Sequence, residues 1–328
     1  MTDDIKHTNH TTSIDPTDAA AAEGGTISRR AALGGIAAGA GLFAASQAMA
    51  QSAVPADPVV GQMETEPNAA NSLAADRPLA GKVAIVTGAR ANIGRGIAIG
   101  LAQMGADVLV HYHRPETQDQ AEETARLARE AGAERTALTV GDLGQPINVT
   151  EMFDVAEREL GGADILVNVA GAMVKKPIVD ITDEDYQRCY NINEWGTFLC
   201  MREAARRLRN EGRIINIVTA LVPALTPNYG AYGATKAANA QLVRTLSAEV
   251  GGEDRRITVN SVHPGPVDTP FYREPESDGA IAYAVELANM NRLGRVSDVV
   301  PLVQFLASPA AQWVTGESLY VTGGYTQA

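Results

Sequence analysis

Residues 79–328 predict one α/β domain built on a doubly wound parallel sheet, and three observations carry that expectation. Short apolar, β-branched runs alternate with longer helical patterns. The first run leads straight into a Gly-rich turn and a helix, and no Pro/Gly-rich break divides the segment. Strands separated by helices run parallel, because each crossover returns the chain to the same end of the sheet, and helices then cover both faces. Right-handed crossovers wind such a sheet outward from its first strand and leave the ligand crevice at the carboxyl ends.

Taken in order, Lys82–Thr87 (KVAIVT) reads as the first strand and Ile93–Met104 as the first helix. Ala106–His111 gives a second strand and Glu116–Ala131 a charged amphipathic helix. Arg135–Val140 and Ala163–Val169 are further strands, with the helix-like Ile147–Leu160 between them. Asp183–Arg209 is expected as one long helix, Arg213–Thr219 as a strand and Ala231–Val250 as another helix. Ile257–His263 and Ser318–Val321 supply the last strands. The two cysteines, Cys189 and Cys200, fall eleven residues apart within the expected long helix. About three turns separate them, so they read as small buried side chains and not as a bridge.

A net charge of −12, from 27 basic and 39 acidic residues, excludes a sequence-independent nucleic-acid binder. No His, Cys, Asp or Glu grouping has metal-ligand spacing, so no metal is expected. Residues 1–27 are polar and without apolar period, which predicts disorder. Ser28-Arg29-Arg30-Ala31-Ala32-Leu33 then precedes a weakly apolar Ala/Gly run from Gly34 to Ala45, and Ala48-Met49-Ala50 offers a small-x-small cleavage site. Residues 1–50 thus resemble a twin-arginine export signal cut after Ala50. The apolar run falls short of the roughly twenty residues a membrane span needs. Residues 51–78 hold several prolines and read as a linker. The expected location is the periplasm, reached by export of the folded protein, with no stable membrane span after cleavage.

Between the first strand and helix lies Thr87-Gly88-Ala89-Arg90-Ala91-Asn92-Ile93-Gly94. Small residues there let backbone approach a pyrophosphate, and the helix start presents unpaired N–H groups to it. The segment resembles the TGxxxGxG turn of the short-chain dehydrogenase/reductase family, with Asn92 at the middle glycine. Asn tolerates a left-handed backbone best among the other residues. The resemblance runs from Leu79 to Ala328, 250 residues, and implies a Rossmann-like fold. Asp142 and Leu143 match the adenine contact after the third strand. Asn168, Val169, Ala170 and Gly171 resemble the NNAG turn after the fourth. Pro264, Gly265, Val267 and Thr269 resemble the PGxxxT loop beside the nicotinamide. After the second strand, Tyr112 stands where an NAD enzyme places its carboxylate, and His113, Arg114 and Arg90 supply cations for a 2′-phosphate. NADP(H) is therefore the expected cofactor.

Tyr232 and Lys236 stand four residues apart on one expected helix and share a face. A phenol is a poor base at neutral pH, and a neighbouring ammonium should lower its pKa. The resemblance makes Tyr232 the general acid/base, and makes Lys236 its partner and a hold on the nicotinamide ribose. Asn193 matches the helix Asn that positions Lys236 through water. Thr219 occupies the place of the substrate-orienting serine, thirteen residues before Tyr232, with Thr226 a weaker candidate. Phe271, Tyr272, Arg273 and the stretch Ala280–Met290 resemble the family's mobile substrate lid.

What these features imply is an NADP(H)-dependent enzyme interconverting a small-molecule carbonyl and alcohol. It resembles 3-oxoacyl reductases generically and pteridine reductases at the His-Tyr-His-Arg strand end. Packing of the C-terminal segment in this family implies a homodimer or homotetramer. Two other functions fit parts of the same sequence: a non-catalytic NADP(H)-binding sensor or carrier, and a scaffold tethered to the membrane by an uncleaved signal.

Overall fold

Along β1 (Val83–Val86), Val83 and Ile85 enter one apolar core while Ala84 and Val86 enter another. In β2 (Asp107–Tyr112), Leu109 joins the first core, and Val108 and Val110 the second. The strand period of two therefore feeds two cores, which is why these strands read as unbroken apolar runs. The computed structural model describes residues 77–224 and 226–325. The expected export signal and residues 51–76 of the expected linker lie outside the described residues.

With β3 (Thr136–Val140), β4 (Ile165–Asn168), β5 (Arg213–Ile217), β6 (Thr258–Pro264) and β7 (Ser318–Val321), these strands form a seven-stranded sheet. Every pairing is parallel, and the order is β3-β2-β1-β4-β5-β6-β7. Strand order reverses between β1 and β4, so the crevice opens above their carboxyl ends. This is the doubly wound, Rossmann-like α/β fold.

The α-helices of seven or more residues are α1 (Asn92–Gln103), α2 (Gln118–Ala131), α3 (Pro146–Leu160), α4 (Asp183–Cys189), α5 (Thr197–Arg207), α6 (Gly230–Val250), α7 (Asp278–Leu287) and α8 (Val296–Ala307). Leu101 of α1, Ala125 of α2 and Val303 of α8 fill one core. Phe153 of α3, Leu199 of α5 and Val243 of α6 fill the other.

Two expectations need correction. The long helix over Asp183–Arg209 is broken into α4 and α5 by a π-helical segment, Tyr190–Gly196. The wider turn re-aims Asn193, whose side chain bonds outward to Ala172 and Thr235. Cys189 and Cys200 consequently lie on different helices, both buried and free. The second correction is α8, which the sequence reading did not assign. Pro301 inside it breaks the look of a helix, yet Val299, Val303 and Leu306 are all buried.

Candidate active site

Three turns at the carboxyl ends of β1, β3 and β4 are locked together by side chains. Thr87 Oγ1, at the end of β1, accepts from the backbone N–H of Val169 at 2.9 Å and of Ala170 at 3.1 Å. His111 joins the Gly-rich turn to the end of β3. Its Nδ1 takes the Gly88 N–H at 3.2 Å, and its Nε2 lies 2.9 Å from the Gly141 carbonyl. A backbone N–H only donates and a carbonyl only accepts, so the ring is neutral with its proton on Nε2. Burial pushes its pKa down to about 4 and keeps it so.

The turn itself has no spare room. A Cβ on Gly94 would sit 2.4 Å from the Gly88 carbonyl oxygen, and one on Gly88 would sit 3.0 Å from Ala170 Cα. Asn92 takes φ +54°, so it adopts the left-handed conformation that its place in the motif requires. The first turn of α1 carries no acidic residue, and Ala91 provides no side-chain cap. Its leading N–H groups therefore suit an anion. Arg90 donates to Gln120 through its guanidinium, while its carbonyl accepts from Arg95 at 2.5 Å. His113 and Arg114, just past β2, are exposed beside it. Turn, helix start and cations together fit a dinucleotide carrying an extra phosphate.

At the other end, Tyr232 and Lys236 lie near the start of α6, both buried. Lys236 Nζ donates to the Ile217 carbonyl at 2.9 Å, and burial pulls its pKa down to about 8. Burial raises the Tyr232 pKa, and the hydroxyl of Thr219 opposes that shift by hydrogen bonding. The expected lowering by Lys236 is not found: burial sets the direction, and the one effect opposing it is the Thr219 hydroxyl. At neutral pH this phenol carries its proton.

The Gly-rich turn, Arg90, His113, Arg114, Thr219, Tyr232 and Lys236 open on one cleft of about 1760 Å³. Single-ligand pockets are usually about 300–1,000 Å³, so this cleft has room for two molecules side by side. Among the expected site residues, Gly88, Arg90, Asn92, Ile93, Gly94, His113, Arg114, Asp142 and Leu143 line it. So do Ala170, Gly171, Thr219, Thr226, Tyr232, Lys236, Pro264, Gly265, Val267 and Thr269. Asn168 and Asn193 do not. Asn168 is buried in the sheet, donating to Asn216 Oδ1 at 2.8 Å. Asn193 clamps the turn after β4 instead: Nδ2 donates to Ala172 O at 2.8 Å, and Oδ1 accepts the Ala172 N–H at 2.9 Å. Its own carbonyl accepts from Asn239 at 2.7 Å. No group of His, Cys, Asp and Glu among the described residues could hold a metal ion.

Sequence reasoning missed Thr87, His111, Lys175, Tyr229 and Glu276. Thr87 and His111 touch the motif residues, and Tyr229 lies one helical turn before Tyr232, so their spacing held a signal. Lys175 and Glu276 meet only in the fold.

A family model described as enoyl-(acyl carrier protein) reductase matches residues 88–326. A short-chain type dehydrogenase/reductase of Picea abies is 41% identical over 255 residues, 75% of this chain and 93% of the relative. The chain is a short-chain dehydrogenase/reductase. An NADPH-dependent aldehyde reductase-like chloroplastic protein of Arabidopsis thaliana is 37% identical, covering 76% of this family member and 95% of the relative. A putative dehydrogenase from Burkholderia cenocepacia with bound NADP superposes with a TM-score of 0.73 at 36% identity, covering 80% of this chain and 99% of that one. As a member of this family, the protein is an oxidoreductase.

Proposed function

We propose that this oxidoreductase reversibly reduces a small-molecule ketone or aldehyde to an alcohol. The cofactor is NADP(H). The observation that carries the reading is the buried trio of Thr219, Tyr232 and Lys236 opening on the same cleft as the Gly-rich turn. Bound NADPH supplies the hydride that the carbonyl carbon receives. Tyr232, held protonated by burial, gives its proton to the carbonyl oxygen. Thr219 donates a hydrogen bond to that oxygen and fixes its direction; its extra methyl narrows the space compared with serine. Lys236, drawn down to about 8, returns a proton to Tyr232 more readily than an ordinary lysine would. Asn193 and Asn168 act as supports, the first through Ala172 and Thr235, the second through Asn216.

Arg90, His113 and Arg114 hold the 2′-phosphate, and Asp142 with Leu143 faces the adenine. Gly88, Asn92, Ile93 and Gly94 cradle the pyrophosphate, while Ala170, Gly171, Pro264, Gly265, Val267 and Thr269 enclose the nicotinamide. The 3-oxoacyl-thioester substrate is disfavoured by the export signal, which would separate enzyme and carrier protein. Location in the periplasm and assembly into a dimer or tetramer belong to the same reading. Recovery of a mature chain starting at Gln51, and sedimentation of that chain, test them.

The decisive assay follows NADPH and NADH consumption by the purified protein against ketones, aldehydes and quinones. Turnover with NADPH well above NADH is expected. NADPH binding without turnover of any carbonyl would replace the reductase by a nucleotide-binding module.

A further inference from the structure

Aromatic side chains are scarce in this chain: five Phe, two Trp and nine Tyr among 328 residues. Seven of them line the cleft: Tyr112 beside the Gly-rich turn, and Tyr229, Tyr232, Phe271, Tyr272, Tyr283 and Tyr325 around the catalytic helix and the lid. The ring of Tyr232 has the Tyr229 ring 6.5 Å away at 60° and the Phe271 ring 6.4 Å away at 56°. Both are edge-to-face distances. Three segments far apart in sequence build this wall, and one side chain joins them. Glu276, between the turn Pro270–Arg273 and α7, accepts the Tyr229 O–H on Oε1 and pairs with Lys175 through Oε2. Lys175, in the loop after β4, also stands 5.6 Å over the Tyr229 ring. The Glu276 side chain is 2% exposed. Burying a carboxylate so deeply is costly unless it is paired, and such pairs serve geometry better than stability.

We propose that the substrate is a flat fused-ring ketone, and that Glu276 sets the selectivity for it by tying the lid's aromatic wall to Tyr229 at the head of the catalytic helix. The proposal rests on the carbonyl-reductase reading. A flat ring beside the carbonyl gains ring contacts from Phe271 and Tyr229 that an open-chain aldehyde cannot make. Glu276 is a positioning residue, acting through Tyr229 and Lys175.

The test compares 1-tetralone with hexanal as substrates for the wild type, Glu276→Gln, Tyr229→Phe and the double variant. The wild type should favour 1-tetralone in kcat/KM by about tenfold or more, the worth of roughly one good ring contact. Glu276→Gln should raise KM for 1-tetralone about tenfold with kcat nearly unchanged, leaving hexanal kinetics and NADPH affinity alone. The double variant should lose no more than the worse single one, since both changes cut the same tether. A second readout needs no turnover: 1-naphthol binding to the NADP⁺ complex, followed by calorimetry, should weaken about tenfold in Glu276→Gln. That measurement stands even if no carbonyl is consumed, so the two readings fail separately. Preference for hexanal, equal losses on both substrates, or unchanged 1-naphthol affinity would overturn the proposal. Should Glu276→Gln not fold, Tyr229→Phe, which leaves the ion pair in place, must by itself weaken 1-naphthol binding.

Discussion

At the nucleotide end of the cleft, the Gly-rich turn faces a ligand with backbone, fixed by other backbone and by buried hydroxyl and imidazole groups. Thr87 holds Val169 and Ala170, His111 holds Gly88 and Gly141, and Gly94 rests against Gly88. At the substrate end the facing groups are side chains on short elements. Phe271 is 38% and Tyr283 62% exposed, and the segment is tied down by Thr269 capping its first turn, by the Asp268–Arg273 pair and by Glu276. A backbone-built site tolerates almost no added atom, so it serves one unvarying ligand. A side-chain-built site can change its occupant by substitution without disturbing the sheet. Tyr232, Lys236 and Thr219 stand where the two meet, which lets one chemistry serve different substrates.

Breaking the junction should have the largest effect. Tyr232→Phe removes the proton donor and should cost about 10²–10⁴-fold in turnover while NADPH affinity stays within about twofold. Stopped-flow turnover beside equilibrium titration separates the two. Retained biological function in this variant would favour a binding module over a catalyst. Arg90→Ala probes the phosphate side of the nucleotide end. Loss of a charge-assisted hydrogen bond costs about 1.5–3 kcal/mol, so kcat/KM for NADPH should fall roughly 10–100-fold with that for NADH unchanged. A parallel fall for both cofactors would remove Arg90 from the phosphate site. Gly94→Ala tests the backbone-built character directly. Its Cβ meets a carbonyl oxygen at 2.4 Å, and forced overpacking usually costs about 1–3 kcal/mol. A melting temperature lower by several degrees and weaker NADPH binding are expected; an unchanged protein would mean that the turn can open.

What the sequence made visible follows the same division. The strands and the Gly-rich turn are local patterns, so their places were readable, and Asn92 could be judged from its tolerance of positive φ alone. The interrupted helix was hidden because Tyr190–Gly196 has ordinary helix-forming neighbours, and the partners that re-aim Asn193 come from Ala172 and Thr235. α8 was hidden by Pro301. Asn168 and Asn193 were readable as motif positions, yet not as groups that stay out of the cleft. The sign of the Tyr232 shift was misjudged because burial, a property of the fold, sets it, and the group that opposes it is Thr219, not the charge four residues along. Lys175 and Glu276 lie about a hundred residues apart, and only tertiary contact joins them.

The smallest effect concerns His111, which belongs wholly to the backbone-built end. An unfolded histidine takes up a proton near pH 6.5, whereas here burial lowers the pKa to about 4. The unfolded state thus binds more protons between these values. Stability is full above about pH 6.5 and falls as the pH drops towards about 4. One unit of pH within that window is worth about 1 kcal/mol, a few degrees in melting temperature for a domain of this size. Melting curves of the wild type and His111→Asn from pH 7.5 to 4.5 isolate the contribution. Asn offers an acceptor towards Gly88 and a donor towards Gly141 but does not titrate, and His263, also lowered by burial, remains in both proteins. The wild type should therefore lose more stability than the variant below pH 6.5. Parallel curves would mean that His111 is not held neutral, and that the Gly88 turn does not depend on its unprotonated Nδ1.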